Sequence, residues 1–208
     1  MSASNSFEAL ATDASAHDAE RRNMVLLTAA AAGVATVGTA IPLVASLSPS
    51  ERALASGAAV EADISDLAPG DMKTVEWRGK PVWIVRRTEE TLADLATLDD
   101  RLVDPRSEVK SQQPAYAQNA SRSIKPEYLV AVGICTHLGC SPSAVAKGTA
   151  NPGVGQDWKG GFFCPCHGST FDAAGRVFKN KPAPTNLEIP PHQYLSDSRL
   201  LIGEDESV

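Results

Sequence analysis

Between Met24 and Leu47 the chain runs for 24 residues without a charge, MVLLTAAAAGVATVGTAIPLVASL. As a helix this stretch would be about 36 Å long, enough to cross a hydrocarbon layer of about 30 Å. Its four hydroxyl residues, Thr28, Thr36, Thr39 and Ser46, can bond back to the preceding turn. Pro42 lies near the far end, where a membrane helix tolerates a kink. A cleavable signal usually has a shorter apolar run, about 7–15 residues, although Ala53-Leu54-Ala55 offers a cleavage-like site. Length therefore favours a retained transmembrane anchor over residues 24–47. Arg21 and Arg22 abut its near end, so the positive-inside rule keeps residues 1–23 cytoplasmic and sends the C-terminal part across the membrane. The same pair before an apolar run has the form of a twin-arginine export signal, which suits a domain that folds around a cofactor before it is exported.

Residues 1–23 show no apolar period and are expected to form a short, poorly ordered tail. Residues 48–63, SPSERALASGAAVEAD, are small and stripe-free and are expected to form a hinge. The head, 64–208, changes texture. Met72 to Arg86 holds two β-rich runs around Arg78-Gly79-Lys80-Pro81 and predicts a hairpin. Thr88 to Val103 has a helical period through Leu92, Leu95, Leu98 and Leu102, with Thr88 or Thr91 as a cap. Asp104 to Pro126 is a polar, proline-punctuated loop. Tyr128 to Ile134 is a buried strand running into Cys135, and short strands continue as GFFC, STFD, RVFK, LEI and RLLIG. The head is thus mostly β with one early helix. With 5% aromatic residues its core must lean on Val, Leu, Ile and Ala. The charge of −6, without a basic block, argues against nucleic-acid partners. Ordinary apolar content excludes disorder of the whole chain.

All four cysteines and two of the four histidines fall in two clusters, Cys135-Thr-His137-Leu-Gly-Cys140 and Cys164-Pro-Cys166-His167-Gly-Ser169. Each follows a strand and is rich in Gly, Pro and Ser, so each reads as a tight loop at a sheet edge. His17, in the tail, and His192, beside Pro190-Pro191, read as surface histidines. Three chemistries compete for the clusters. A structural zinc site has these ligand types, but its usual spacings are C-x₂₋₄-C and H-x₃₋₅-H, and two cysteines would be left over. Two disulfides suit an exported domain but leave the paired histidines unexplained. An iron–sulfur centre taking one Cys and one His from each loop uses both histidines and leaves one cysteine per loop to pair.

The pair C-T-H-L-G-C and C-P-C-H-G-S resembles the Rieske iron–sulfur family, and within it the quinol–cytochrome c reductase subunit. The likeness runs from the anchor to the C-terminus, with Lys181-Pro182-Ala183-Pro184 similar to the family's third, proline-rich loop. It implies an antiparallel β-sandwich head with a small cluster-binding subdomain at about 132–184, the Rieske fold. It implies one [2Fe–2S] cluster, with Cys135 and Cys164 on one iron and His137 and His167 on the other. Cys140 and Cys166 would form a disulfide. Ser169 would bond a bridging sulfide, Leu138 would shield the cluster and face the quinone pocket, and Gly139 and Gly168 would let backbone amides approach the sulfurs. Pro182 would border the cluster. Two positions depart from the family: Phe171 stands where Tyr is frequent, and Lys181 where Gly is frequent.

The resemblance further implies a subunit of a respiratory cytochrome bc complex in a bacterial inner membrane, with the N-terminus cytoplasmic and the head periplasmic. The complex would be dimeric and would include cytochrome b and a c-type cytochrome. The chain would take one electron from quinol, by this likeness ubiquinol, with His167 as quinol contact and proton acceptor. It would pass the electron to a c-type haem by movement of the head, contributing to proton translocation. A Rieske subunit of an arsenite-oxidase-type enzyme and a non-redox zinc module are the alternatives.

Overall fold

The computed structural model describes residues 4–48, 50 and 57–205, and divides into two units, Met1–Ala53 and Leu54–Val208. The first is one helix, α1 (Ser4–Ala45). Within it Asp18–Ala45 is apolar and long enough to cross a membrane, and none of that window is buried against the rest of the chain. The hydroxyls are satisfied inside the helix. Thr28 bonds the Met24 carbonyl, Thr36 that of Ala32 at 2.8 Å, Thr39 that of Ala35 at 3.0 Å and Ser46 that of Leu43 at 2.7 Å. No hydroxyl need face hydrocarbon unpaired. The tail was expected to be irregular, yet from residue 4 it continues the helix. Its many Ala and Glu are good helix formers, and no Gly or Pro occurs before Gly33. Of the expected hinge, residues 49 and 51–56 lie outside the described residues, and 60–63 form a strand.

The second unit is built from three antiparallel three-stranded sheets. One is ordered β1 (Val60–Asp63), β9 (Arg199–Ile202), β8 (His192–Ser196). The next is β2 (Met72–Trp77), β3 (Lys80–Arg86), β4 (Tyr128–Val132). The third is β5 (Ser143–Val145), β6 (Gly161–Phe163), β7 (Thr170–Asp172). The predicted hairpin is β2–β3, turning at Arg78-Gly79 with φ of 52° and 70°, the twist a two-residue hairpin turn requires.

Side chains alternate across the middle sheet. Val82, Ile84, Val130 and Val132 pack with Ala62, Leu200 and Ile202 of the first sheet. Trp83, Leu129 and Ala131 face the other way and pack with Phe162, Phe171 and the thiols of Cys135 and Cys164. All five residues of β4 are buried. That double burial gives the strand entering the first cysteine loop a rigid base, at about 1.5–3 kcal/mol for each large aliphatic side chain removed from water. Trp83 stacks on Phe162 at 4.9 Å and ties the middle sheet to the third.

Helix α2 (Glu89–Leu95) begins where predicted, with the Thr88 hydroxyl accepting from the Thr91 amide at 3.1 Å. It ends earlier than its leucine period implies. The Leu95 carbonyl accepts from Arg176 Nη2 at 2.8 Å, and the chain continues as a single turn at Asp99–Arg101. Leu98 and Leu102 still reach a core, with Val145, Trp158 and Phe178. RVFK and LEI are not strands: Val177 and Phe178 form isolated bridges, while Leu187 and Ile189 are buried loop residues. His192 is a correction. It opens β8 opposite Ile202, so its ring turns inward, 1% exposed and edge-on to Tyr116 at 5.4 Å. Its Nδ1 lies 2.8 Å from the Pro190 carbonyl, and burial holds the imidazole below the usual histidine range.

Candidate metal centre

Two six-residue loops carry the cysteines and histidines, 135–140 after β4 and 164–169 after β6. Their backbones bond alike. The Cys135 amide donates to the Cys140 carbonyl at 2.7 Å and the Gly139 amide to the Cys135 carbonyl at 3.0 Å. The Cys164 amide donates to the Ser169 carbonyl at 2.8 Å and the Gly168 amide to the Cys164 carbonyl at 3.0 Å. The fifth residue closes each turn in the left-handed region, with φ of 84° at Gly139 and 79° at Gly168, where an L side chain is strained.

The first residue of each loop points inward. Cys135 and Cys164 are 3% and 2% exposed and carry free thiols. The imidazoles of His137 and His167 meet edge-on, ring centroids 4.7 Å apart, His137 half-buried and His167 exposed. Leu138 stands between them in sequence with 71% of its surface exposed. Cys140 and Cys166 are joined as a disulfide with Cα atoms 6.7 Å apart, so the loops are covalently clamped. The sulfurs of Cys140, Cys164 and Cys166 lie within 4.8 Å of one another. The two in the disulfide carry no thiolate charge, which leaves Cys164 as the one sulfur of that group able to ligate as a thiolate.

Two features test whether these residues fit an iron–sulfur group. Burial pushes the Cys164 thiol above the usual range, and neighbouring Cys135 adds to the rise against the opposing Cys166 and His167 amides. Paired buried thiols of this kind ionise only with a cation to compensate them. His137 Nδ1 is buried and has no hydrogen-bond partner among the described residues, leaving its lone pair directed into a site with no protein donor. A donor set of two soft thiolates and two imidazoles suits iron in a sulfide-bridged cluster.

The third loop is tied to both others. The Ser169 hydroxyl, fully buried, accepts from the Ala183 amide at 3.0 Å, and its own hydrogen remains available to donate. The Thr136 hydroxyl donates to the Thr185 carbonyl at 2.7 Å. Thr136 was not singled out from the sequence, and a hydroxyl beside a ligand cysteine was the available signal. Pro182 and Ala183 precede Asn186, whose side chain accepts from the Val177 amide at 2.9 Å and donates to the Asp104 carbonyl at 2.9 Å. Lys181 needs no glycine-like conformation, because the left-handed residue here is Asn180, φ 59°. Phe171 is fully buried in the core that contains both thiols.

The Rieske [2Fe-2S] domain family matches residues 58–191. The chain is 60% identical over 185 residues to the ubiquinol-cytochrome c reductase iron-sulfur subunit of Allochromatium vinosum, covering 89% of this chain and 88% of that protein. It is 40% identical to the subunit of the same name in Rickettsia conorii, covering 88% and 93%. A chain of a hyperthermophilic respiratory Complex III aligns with TM-score 0.46 and 26% identity, covering 82% of this chain and 94% of that one. Both sequence relatives are reductase subunits and not of the arsenite-oxidase type. The chain belongs to the Rieske iron–sulfur subunits of ubiquinol–cytochrome c reductase and carries a Rieske [2Fe–2S] domain.

Proposed function

We propose that this chain is the electron-transfer subunit of a membrane cytochrome bc complex, receiving one electron from quinol and delivering it to a c-type haem. The observation that carries this is the pair of equivalent loops, each giving one buried thiol and one imidazole, with one imidazole open to solvent. Cys135 and Cys164 would hold one iron as thiolates, and His137 and His167 would hold the other. When bound, the cluster supplies a one-electron couple whose neutral imidazole ligands oppose reduction less than thiolates would. His167 is exposed, so its outer nitrogen accepts the hydrogen bond and then the proton of a quinol hydroxyl. Leu138, exposed next to His137 in the first loop, gives an apolar surface to the quinol pocket. Ser169 donates toward the centre while its oxygen holds the third loop at Ala183. Arg21 and Arg22 keep the N-terminus cytoplasmic, so the head lies on the periplasmic side of a bacterial inner membrane, against cytochrome b and a c-type cytochrome in a dimeric complex.

The test is metal and sulfide analysis of the full chain with an EPR spectrum after dithionite reduction. Iron with acid-labile sulfide and a spectrum of low average g are expected. Zinc without labile sulfide would sink the reading.

A further inference from the structure

Arg87, Arg122 and Arg176 are buried, at 4%, 0% and 0% exposure. All three converge on one turn, Asp172-Ala173-Ala174-Gly175-Arg176, at the end of β7. Arg87 Nη1 donates to the Ala173 carbonyl at 3.3 Å, and Arg122 Nη1 to those of Ala174 and Gly175 at 3.4 and 3.3 Å. Arg176, within the turn, donates from Nε to Asp172 at 2.7 Å. Their other donors grip the segment 88–126. Arg176 reaches the carbonyls of Leu95 at 2.8 Å and Pro105 at 3.0 Å. Arg122 reaches Gln113 Oε1 at 3.0 Å, and Arg87 the Ser121 carbonyl and Ser123 hydroxyl, both at 2.8 Å.

These three cations face two buried carboxylates. Asp172 is saturated by its own turn, accepting from the Ala174 and Arg176 amides at 2.9 and 2.8 Å. Asp104 accepts from the Glu108 and Val109 amides at 2.8 and 3.1 Å. Asp99, half exposed, adds a contact to Arg176 at 3.1 Å. The Nε atoms of Arg87 and Arg122 have no partner among the described residues. Burial lowers both guanidiniums to about 10, so they stay charged at neutral pH. Such groups are costly to bury, and purely structural contacts to carbonyls do not require a charge.

The turn is joined to the second ligand loop by β7, which starts one residue after Ser169 and ends at Asp172, opposite Gly161. Arg122 Nη1 and Leu187 Cβ both lie 3.3 Å from where a β-carbon on Gly175 would stand, and Leu187 shares one apolar core with Cys135 and Cys164. A charge acting through that core is screened far less than one at the surface. Reduction adds one negative charge to the centre, so fixed positive charge acting through the shared core favours the reduced form. We propose that the Arg87, Arg122 and Arg176 guanidiniums are positioning residues of the metal centre, holding the turn at the far end of β7 and, as fixed charges acting through the shared core, raising the midpoint potential. The segment 88–126 is then a bracket that contributes Arg122 and accepts bonds from Arg87 and Arg176. This inference rests on the [2Fe–2S] reading of the site.

The test is a redox titration of the full chain in detergent, followed by EPR. Arg122→Gln keeps an amide donor but loses the charge. It is expected to lower the reduction equilibrium constant about threefold or more, which is about 28 mV for a one-electron couple. Arg122→Lys, which keeps the charge, is expected to return most of that shift. An unmoved midpoint in the Gln variant with an intact spectrum overturns the proposal, as does an equal loss in the Lys variant. Should Arg122→Gln fail to accumulate, Asp99→Asn decides. Removing that half-exposed counter-charge is expected to raise the midpoint, and an unmoved or lowered value overturns the proposal. Iron and sulfide content of the unaltered chain tests the cluster itself, so the two failures are distinguishable.

Discussion

The loops 135–140 and 164–169 have the same backbone and different side chains. In both, the first residue is a buried cysteine, the fifth a left-handed glycine, and the sixth carbonyl closes on the first amide. Histidine is third in one loop and fourth in the other. That one-residue offset leaves His137 half-buried and His167 exposed. The sixth position diverges as well: Cys140 is spent on the covalent clamp, whereas Ser169 is fully buried and holds the third loop. The backbone thus makes two equivalent sulfur positions, and side-chain order decides which imidazole is open to solvent. The strand that leaves the second loop ends in a turn gripped by buried arginines, while the strand that enters the first is buried on both faces.

The clamp is the first place to break the equivalence. The disulfide spans 26 residues of sequence, and closing a loop of that length removes unfolded-state entropy worth about 3–4 kcal/mol in the chain-entropy description. Cys140→Ser with Cys166→Ser is expected to lose stability of that order in denaturant unfolding of the full chain while retaining part of its iron. Alkylation of both thiols in native protein without reductant would contradict the clamp. Loss of all iron would mean that loop geometry depends on the clamp and not on backbone bonding.

The glycines measure the equivalence directly. A β-carbon on Gly139 or on Gly168 would meet no protein atom within 4 Å, so within the protein the cost of Ala is backbone strain, about 1–2 kcal/mol at each. Gly139→Ala and Gly168→Ala are expected to lower stability equally in thermal unfolding. A large difference between them would show that one loop is held by contacts the other lacks.

The sequence made these loops legible because their chemistry is local: Cys, His and Gly at fixed offsets admit few uses. The hairpin at Arg78-Gly79 and the Thr88 cap were legible for the same reason. What was not legible depends on partners far along the chain. The leucine period past Leu95 reads as helix until Arg176, 81 residues on, takes the Leu95 carbonyl. His192 looked exposed because two prolines precede it, yet its pairing with Ile202 turns the ring inward. The buried arginines escaped notice because a charged side chain is ordinarily solvated, and only the fold reveals the carbonyls that receive them. The tail failed differently: it has no apolar stripe, yet it propagates from an adjoining helix that needs none.

The smallest effect concerns Phe171, which lies two residues beyond the second loop and has no counterpart after the first. Its ring is fully buried, lies across the strands from Phe162, and shares a core with both thiols. A hydroxyl added to that ring would donate to a ligand sulfur, and a sulfur that gains electron density on reduction accepts the bond more strongly in the reduced state. A net hydrogen bond is worth about 0.5–1.5 kcal/mol, and about 1.4 kcal/mol corresponds to roughly 59 mV for one electron. Phe171→Tyr is therefore expected to raise the midpoint by about 20–65 mV in a redox titration. A lowered or unmoved midpoint with reduced thermal stability would mean that the hydroxyl is buried without a partner.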